Sequence, residues 1–361
     1  MIQILRIITA LIFIASGFVK AVDVVGFSFK LEEYFSPDVF NMPYFERFAL
    51  PIAIIVVVLE LLLGFMLLLK IRLKFTLISL IALCVFFAFL TFYSAYFNKV
   101  TDCGCFGDAI KFTPWQSFFK DIALLGALLI LWFVCKKHFS RLQPKKNWEY
   151  TALAILTATM GFIIVYGISH EPLIDFRDYK IGTDLNAEIA KTKKNPSEYK
   201  TFYSLVNKQT GAMVEVNQDE YVADKKYWQN GTPWTIEESK TTSKMVKEGY
   251  TSEITKFKPE TIDGQDLTQK ILQAPHAVLI FSYAPKKADG TVIAMAEKKV
   301  LASKNAYLVG ISTAPDTFKT IPNALMDATA IKTIARSNPF VLVIKNGIVT
   351  DKMSAKDYIN K

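Results

Sequence analysis

Two cysteines one residue apart, Cys103 and Cys105 in "TDCGCFGD" (101–108), stand between two long apolar runs. Thiols so placed can cycle between dithiol and disulfide, clip a metal, or merely shape a tight turn. The reactive species is the thiolate, which nearby cations favour. Lys99, Lys111 and Lys120 flank the loop, while Asp102 and Asp108 oppose them. A disulfide across one intervening residue closes a small, strained ring, eased by Gly104. Strain makes such a bond easy to reduce, and so short a ring gains little from cross-linking, so exchange suits the pair better than stapling. A structural zinc needs a full tetrahedral set, and the outward histidines, His170 and His276, are far away in sequence, so no metal is expected. Cys84 and Cys135 fall within apolar runs, where cysteine packs as a small hydrophobe.

The elements that must hold this loop are membrane spans. A helix needs about 20 mainly apolar residues to cross a bilayer, and residues 2–22, 47–69, 73–97, 116–135 and 149–169 qualify. Lys and Arg accumulate in short cytoplasmic loops. "KIRLK" (70–74) and "KKHFSRLQPKKNW" (136–148) therefore belong inside, with the amino terminus. The cysteine loop and residues 170–361 then lie outside, in the periplasm of a bacterial inner-membrane protein, where thiols form and exchange disulfides. The first span reads as uncleaved, because Lys20 and Asp23 stand where a cleavage site needs small residues.

The net charge of +9 divides into +5 before residue 170 and +4 after it, with the densest basic runs beside the spans. Lipid is the expected partner and nucleic acid is not. No dinucleotide glycine pattern occurs. Ionisable residues inside spans cost enough to arouse functional suspicion. Glu60 in "VVLELLLG" is the clearest, with Arg6 and Lys20 as candidate partners; Lys120 and Asp121 open the fourth span just past the thiol loop. A polar clamp between helices and a part in proton or quinone handling both account for them. Trp115 and Phe106 offer a flat wall to a quinone ring, although aromatics also anchor spans at the interface.

"ASGFVKAVD" (15–23), "VVLELLLGFMLLL" (57–69) and "CGCFGDAIKFTPWQSFFKDIALL" (103–125) together resemble the DoxX/MauE family of redox-associated bacterial membrane proteins. The resemblance covers roughly residues 1–140. It implies a four-helix core, here with a fifth span, and links to disulfide formation in exported proteins or quinone-coupled sulfur oxidation. The implied catalytic residues are Cys103 and Cys105, with Lys20, Glu60, Lys120 and Asp121 in support. No second outward cysteine pair is present to shuttle electrons, so a partner thiol or a direct substrate is required.

Beyond residue 169 the composition is that of a soluble α+β region. Residues 170–195 read as a linker, and 199–207 with 212–216 as a hairpin turning at Gly211, within a linker and small β-subdomain spanning 170–250. From 251 the pattern alternates: strands at 276–284 and 306–313, helices at 291–305 and 329–337, then "NPFVLVIKNGIVTDKMS". This order resembles a thioredoxin-like fold, with Pro339 in the place of that fold's cis-proline beside a peptide groove. The position of the redox motif reads "SYAPKKADG", and residues 170–361 contain no cysteine. The region cannot exchange disulfides itself. A DoxX-like bundle (1–169) followed by a cysteine-free thioredoxin-like domain (251–361) resembles proteins of Bacteroidota.

Two functions follow. One is an inner-membrane thiol:quinone-type oxidoreductase centred on Cys103 and Cys105; the other is a non-enzymatic envelope scaffold whose carboxy-terminal domain binds a periplasmic partner. Five spans without an internal repeat argue against a secondary transporter.

Overall fold

Five apolar runs become helices long and apolar enough to cross a membrane: α1 (Ile2–Val22), α4 (Ala49–Leu69), α5 (Leu73–Phe97), α6 (Pro114–Cys135) and α7 (Trp148–Ser169). The computed structural model describes residues 1–97, 99–100, 107–110, 112–136, 147–247, 249–303 and 305–361. Between α1 and α4 lie α2 (Val24–Phe35) and the single turn α3 (Pro43–Glu46). Helix α2 lies outside the five apolar runs. Asp23 creates it: its backbone leaves the helical region, ending α1, and its carboxylate accepts the Gly26 N–H at 2.8 Å, capping the next helix.

Within the bundle α1 packs on α4 and α5 on α6. Gly17 and Gly64 bring α1 and α4 together, since a Cβ on Gly17 would lie 2.8 Å from Leu61 Cγ and one on Gly64 3.0 Å from Ile14 Cγ1. Small residues at such crossings let backbones approach in lipid, where apolar side chains alone give no preference for helix over acyl chain. Leu67, Leu77, Leu80, Leu128 and Leu131 fill the interior, with Cys84 and Cys135 buried among them. By contrast, α7 buries only Ile164 and Gly167 and presents Ile155, Phe162 and Val165 outward, as lipid contact demands.

The two ends of the bundle differ. The start of α1, the 70–74 turn and the end of α6 surround a cleft of about 180 Å³ lined by Gln3, Arg6, Lys70 and Cys135. At the opposite end, α2 and Asp108 meet the carboxy-terminal region.

That region holds two sheets. In the smaller one β1 (Glu198–Asn207) pairs antiparallel with β2 (Met213–Asn217), β3 (Trp234–Ile236) and β4 (Thr242–Lys247), and α9 (Gln218–Ala223) packs beside it. The larger contains β5 (Glu260–Thr261), β6 (Ala277–Ser282), β7 (Tyr307–Ser312), β8 (Asn323–Leu325), β9 (Phe340–Lys345) and β10 (Ile348–Ser354), in the order β10-β9-β6-β7-β8-β5. β6 runs parallel to β7, while β9 is antiparallel to β6 and β10 to β9. Helices α10 (Thr268–Gln273), α11 (Gly290–Leu301), α12 (Ala328–Ile334) and α13 (Ala355–Asn360) complete the unit. Every residue of β6 is buried, because apolar clusters cover both faces of the sheet.

Residues 170–195 are not a linker. Helix α8 (Leu185–Lys194) lies within them, Tyr179 and Leu185 are fully buried beneath the large sheet, and the Gly182 and Leu185 N–H groups donate to the Val349 and Gly347 carbonyls at 2.8 and 2.9 Å. Tyr179 and Leu185 fall into no sustained helical or strand period with the other apolar residues of this stretch. Tertiary packing decides their place.

Candidate functional site

Lys20, on the last turn of α1, meets Glu60 of α4 at 2.7 Å with both side chains 2 % exposed. Its Nζ also donates to Ser16 Oγ at 2.9 Å and sits 5.0 and 5.5 Å from the ring centroids of Phe87 and Phe27. The close α1–α4 crossing makes this pairing possible. A second charged pair lies on α6, where Lys120 Nζ is 2.7 Å from Asp121 Oδ1. Asp121 accepts from Thr91 Oγ1 at 3.2 Å, and its backbone carbonyl accepts from Cys84 Sγ at 3.2 Å. Ser16, Lys20, Glu60, Cys84, Lys120 and Asp121 share a void of about 10 Å³. Four of the charged residues singled out in the sequence are thus brought together around a space for about one water.

A quinone ring does not fit there. The void is water-sized, and Ile12, Phe13, Phe87 and Leu124 line it beside the charged groups. Trp115 does not join the cluster either: it is 45 % exposed and packs with Phe92, Phe118 and Phe119 in an aromatic belt. Such a belt is what the membrane interface selects. Cys103, Cys105 and Phe106 lie outside the described residues. The connection that carries them joins α5 to α6, and Asp121 lies seven residues past Pro114, so Asp121 sits about 10 Å along the helix from the start of α6. Among the described residues no group of three or more His, Cys, Asp or Glu side chains is placed to hold a metal.

At Asp108 the connection meets a second constellation. Asp108 accepts from Arg336 Nη2 at 2.5 Å, and the same guanidinium forks onto Asp23, Nε lying 2.9 and 2.8 Å from the two carboxylate oxygens. Gly26 permits this approach, since a Cβ there would lie 2.5 Å from Asp23 Oδ2 and 2.6 Å from Arg336 Nη2. Beside it Lys332 pairs with Glu32 at 2.9 Å and covers the Phe29 ring at 4.2 Å. Phe29 meets Tyr283 edge-on, 5.5 Å between centroids. Burial and the charge of Glu32 push the Tyr283 hydroxyl up to about 12.

Residues 336–339 lead into β9. The Asn338–Pro339 peptide is cis and Pro339 is buried. Asn338 Oδ1 accepts from Ser282 Oγ at 2.8 Å, its Nδ2 donates to the Ala284 carbonyl at 2.9 Å, and the Tyr283 hydroxyl donates to the Arg336 carbonyl at 3.1 Å. Behind this segment stands a buried ionic knot. Glu171 accepts the Arg336 and Ser337 N–H groups at 3.0 and 2.9 Å and pairs with Arg177 at 2.8 Å; Arg177 Nε also reaches Asp175 at 2.7 Å, and Asp175 pairs with Lys352. Burial, the largest single influence, would raise the Glu171 and Asp175 carboxyls, but the charges of Arg177 and Lys352 and the hydrogen bonds the carboxylates accept together outweigh it and hold both below their ordinary values. Burial and Arg177 lower the Lys352 ammonium to about 8.

Residues 1–134 match the family model described as Methylamine utilisation protein MauE. The chain is a multi-pass membrane protein. The MauE match runs from α1 almost to the end of α6 and takes in both the Lys20–Glu60 cluster and the cysteine-bearing connection; α7 and the sheet region lie beyond it. No curated protein and no solved structure matches the chain.

The sequence reading did not single out Asp23, Glu32, Asp108 or Arg336 as a group. Asp23 was detectable as a helix cap between two apolar runs. An arginine in a soluble-looking stretch carries no such mark.

Between α2, Asp108 and the sheet region lies a cavity of about 570 Å³, lined among others by Lys20, Asp23, Glu33, Asp108, Lys256 and Arg336. Lys20 borders both this cavity and the small void inside the bundle.

Proposed function

We propose that the chain is a thiol–disulfide redox protein of a bacterial inner membrane, working through Cys103 and Cys105 on disulfide or sulfur chemistry of exported proteins. The observation that carries this reading is where the pair falls in the chain: within the MauE-matched segment, in the α5–α6 connection whose Asp108 meets Arg336. In the step we envisage, the two thiols reduce a disulfide of a partner protein. One thiolate attacks a partner sulfur and the second resolves the mixed disulfide, so two electrons pass to the partner, two protons are transferred and Cys103–Cys105 becomes the disulfide. A dithiol of a second protein then reduces the Cys103–Cys105 disulfide by the same exchange, is itself oxidised to a disulfide, and so regenerates the two thiols. Lys20, Glu60, Lys120 and Asp121 form the polar floor that fixes α1, α4 and α6 beneath the connection.

We read residues 251–361 as a thioredoxin-like domain. The strand order β10-β9-β6-β7, with β6 and β7 parallel and the other neighbours antiparallel, and a cis peptide at the head of β9 support this. The domain lacks cysteine, so it serves the bundle as a fitted cap. Its Tyr283 and Arg336 side chains lie against α1, α2 and Asp108, which counts against an open partner groove there. The cysteine loop and the sheet region would both face the periplasm, as the basic 70–74 turn at the other end favours.

Thiol trapping in intact cells tests the function, in a background carrying Cys84→Ala and Cys135→Ala. The pair is expected to change oxidation state when oxidant or reductant is added, and Cys103→Ser or Cys105→Ser is expected to abolish activity while folded protein stays in the membrane. If both serine variants behave as wild type, the reading is wrong.

A further inference from the structure

One guanidinium spans three parts of the chain. Arg336 leaves the sheet region, forks onto Asp23 at the break between α1 and α2, and reaches Asp108 within the cysteine-bearing connection. Its Nη1 donates to the Lys332 carbonyl at 2.5 Å, so the fork is held from behind by α12, the helix that precedes it. The side chain is 8 % exposed. Charge-assisted, bidentate contacts of this kind are short, directional and roughly twice as strong as neutral ones. A lysine ammonium supplies a point charge without the planar fork. Without the cation, two carboxylates that converge on one point would repel each other. At Gly26 any side chain would meet the Asp23–Arg336 contact before the contact closed.

We propose that Arg336 is a positioning residue for the redox pair: it pins Gly107–Asp108, just past the two cysteines in the α5–α6 connection, to the α1–α2 joint, so that the sheet region sets how Cys103 and Cys105 react. This rests on the redox reading of the two cysteines. Arg336 acts through Asp108 and touches no reacting atom. Its backbone N–H is held separately by Glu171, so a side-chain substitution spares that link.

The test is the equilibrium of the Cys103–Cys105 pair with glutathione in the full-length, detergent-solubilised protein lacking Cys84 and Cys135. Arg336→Gln is expected to move the equilibrium constant by about tenfold, about 30 mV for a two-electron couple, the scale of losing one charge-assisted contact. Gly26→Ala, which changes no charge, is expected to move it the same way, and Arg336→Lys by less. If Arg336→Gln fails to fold, Gly26→Ala and Asp108→Asn decide. Variants that fold, cycle and keep the wild-type constant overturn the positioning role and leave the redox function standing. A wild-type pair that never cycles removes the redox function, and the positioning role with it.

Discussion

Lys20 and Glu60 show how a buried charge is tolerated inside an apolar bundle: each has the other at 2.7 Å, and Lys20 has a hydroxyl and two aromatic faces besides. Removing one partner leaves the other charge buried and uncompensated, which costs about 3–5 kcal/mol, whereas removing both costs much less. Glu60→Leu alone is therefore expected to lower the thermal midpoint in detergent strongly, and Lys20→Met with Glu60→Leu to recover most of the loss. Equal losses in the single and double variants would contradict this. These residues were legible in the sequence because a charge within an apolar run has few ways to be satisfied. Arg177, Glu171, Asp175 and Lys352 were not, because in an ordinary soluble composition nothing distinguishes a charge that folding will bury.

Among the elements, the spans were legible from length and apolar continuity alone, and the buried strands β6, β7 and β9 from their unbroken apolar runs. Helix α2 was not, since its start depends on one capping carboxylate, and α8 was hidden because only Leu185 of its residues is fully buried. The α1–α4 crossing depends on Gly17, where an added methyl group would lie 2.8 Å from Leu61 Cγ. Gly17→Ala is expected to cost about 1–3 kcal/mol by overpacking, and a second change, Leu61→Ala, to restore part of it. Unfolding midpoints of the two variants check this; an unaltered Gly17→Ala midpoint would mean that the helices can separate freely.

For the whole molecule, the joint between bundle and sheet region carries its own pH dependence. Glu171 and Asp175 are held below their ordinary 4.5 and 3.8, so the unfolded chain takes up protons first as the pH falls. Their contribution to stability is fully present above those ordinary values and is lost as pH falls through the folded ones. Lys352 runs the other way. Held at about 8 against an ordinary 10.5, it carries a penalty as a buried cation below about 8, and that penalty is relieved as pH rises from about 8 to 10.5. Unfolding midpoints of the sheet region are therefore expected to fall with acidification below pH 4.5, and Arg177→Met, which leaves burial to raise both carboxyls, is expected to flatten that fall. A midpoint unchanged by acid would show that the knot is not coupled to folding.

Arg336 and Asp23 are separated by 313 positions, and Arg336 and Asp108 by 228. Translation delivers the membrane helices long before the arginine, and domains fold in the order they emerge. For most of its biogenesis the cysteine-bearing connection thus exists without its clamp. The clamp closes only once the strands around β9 have been made, so the contact also registers completion, and a prematurely terminated chain would lack the arginine that holds the connection in place.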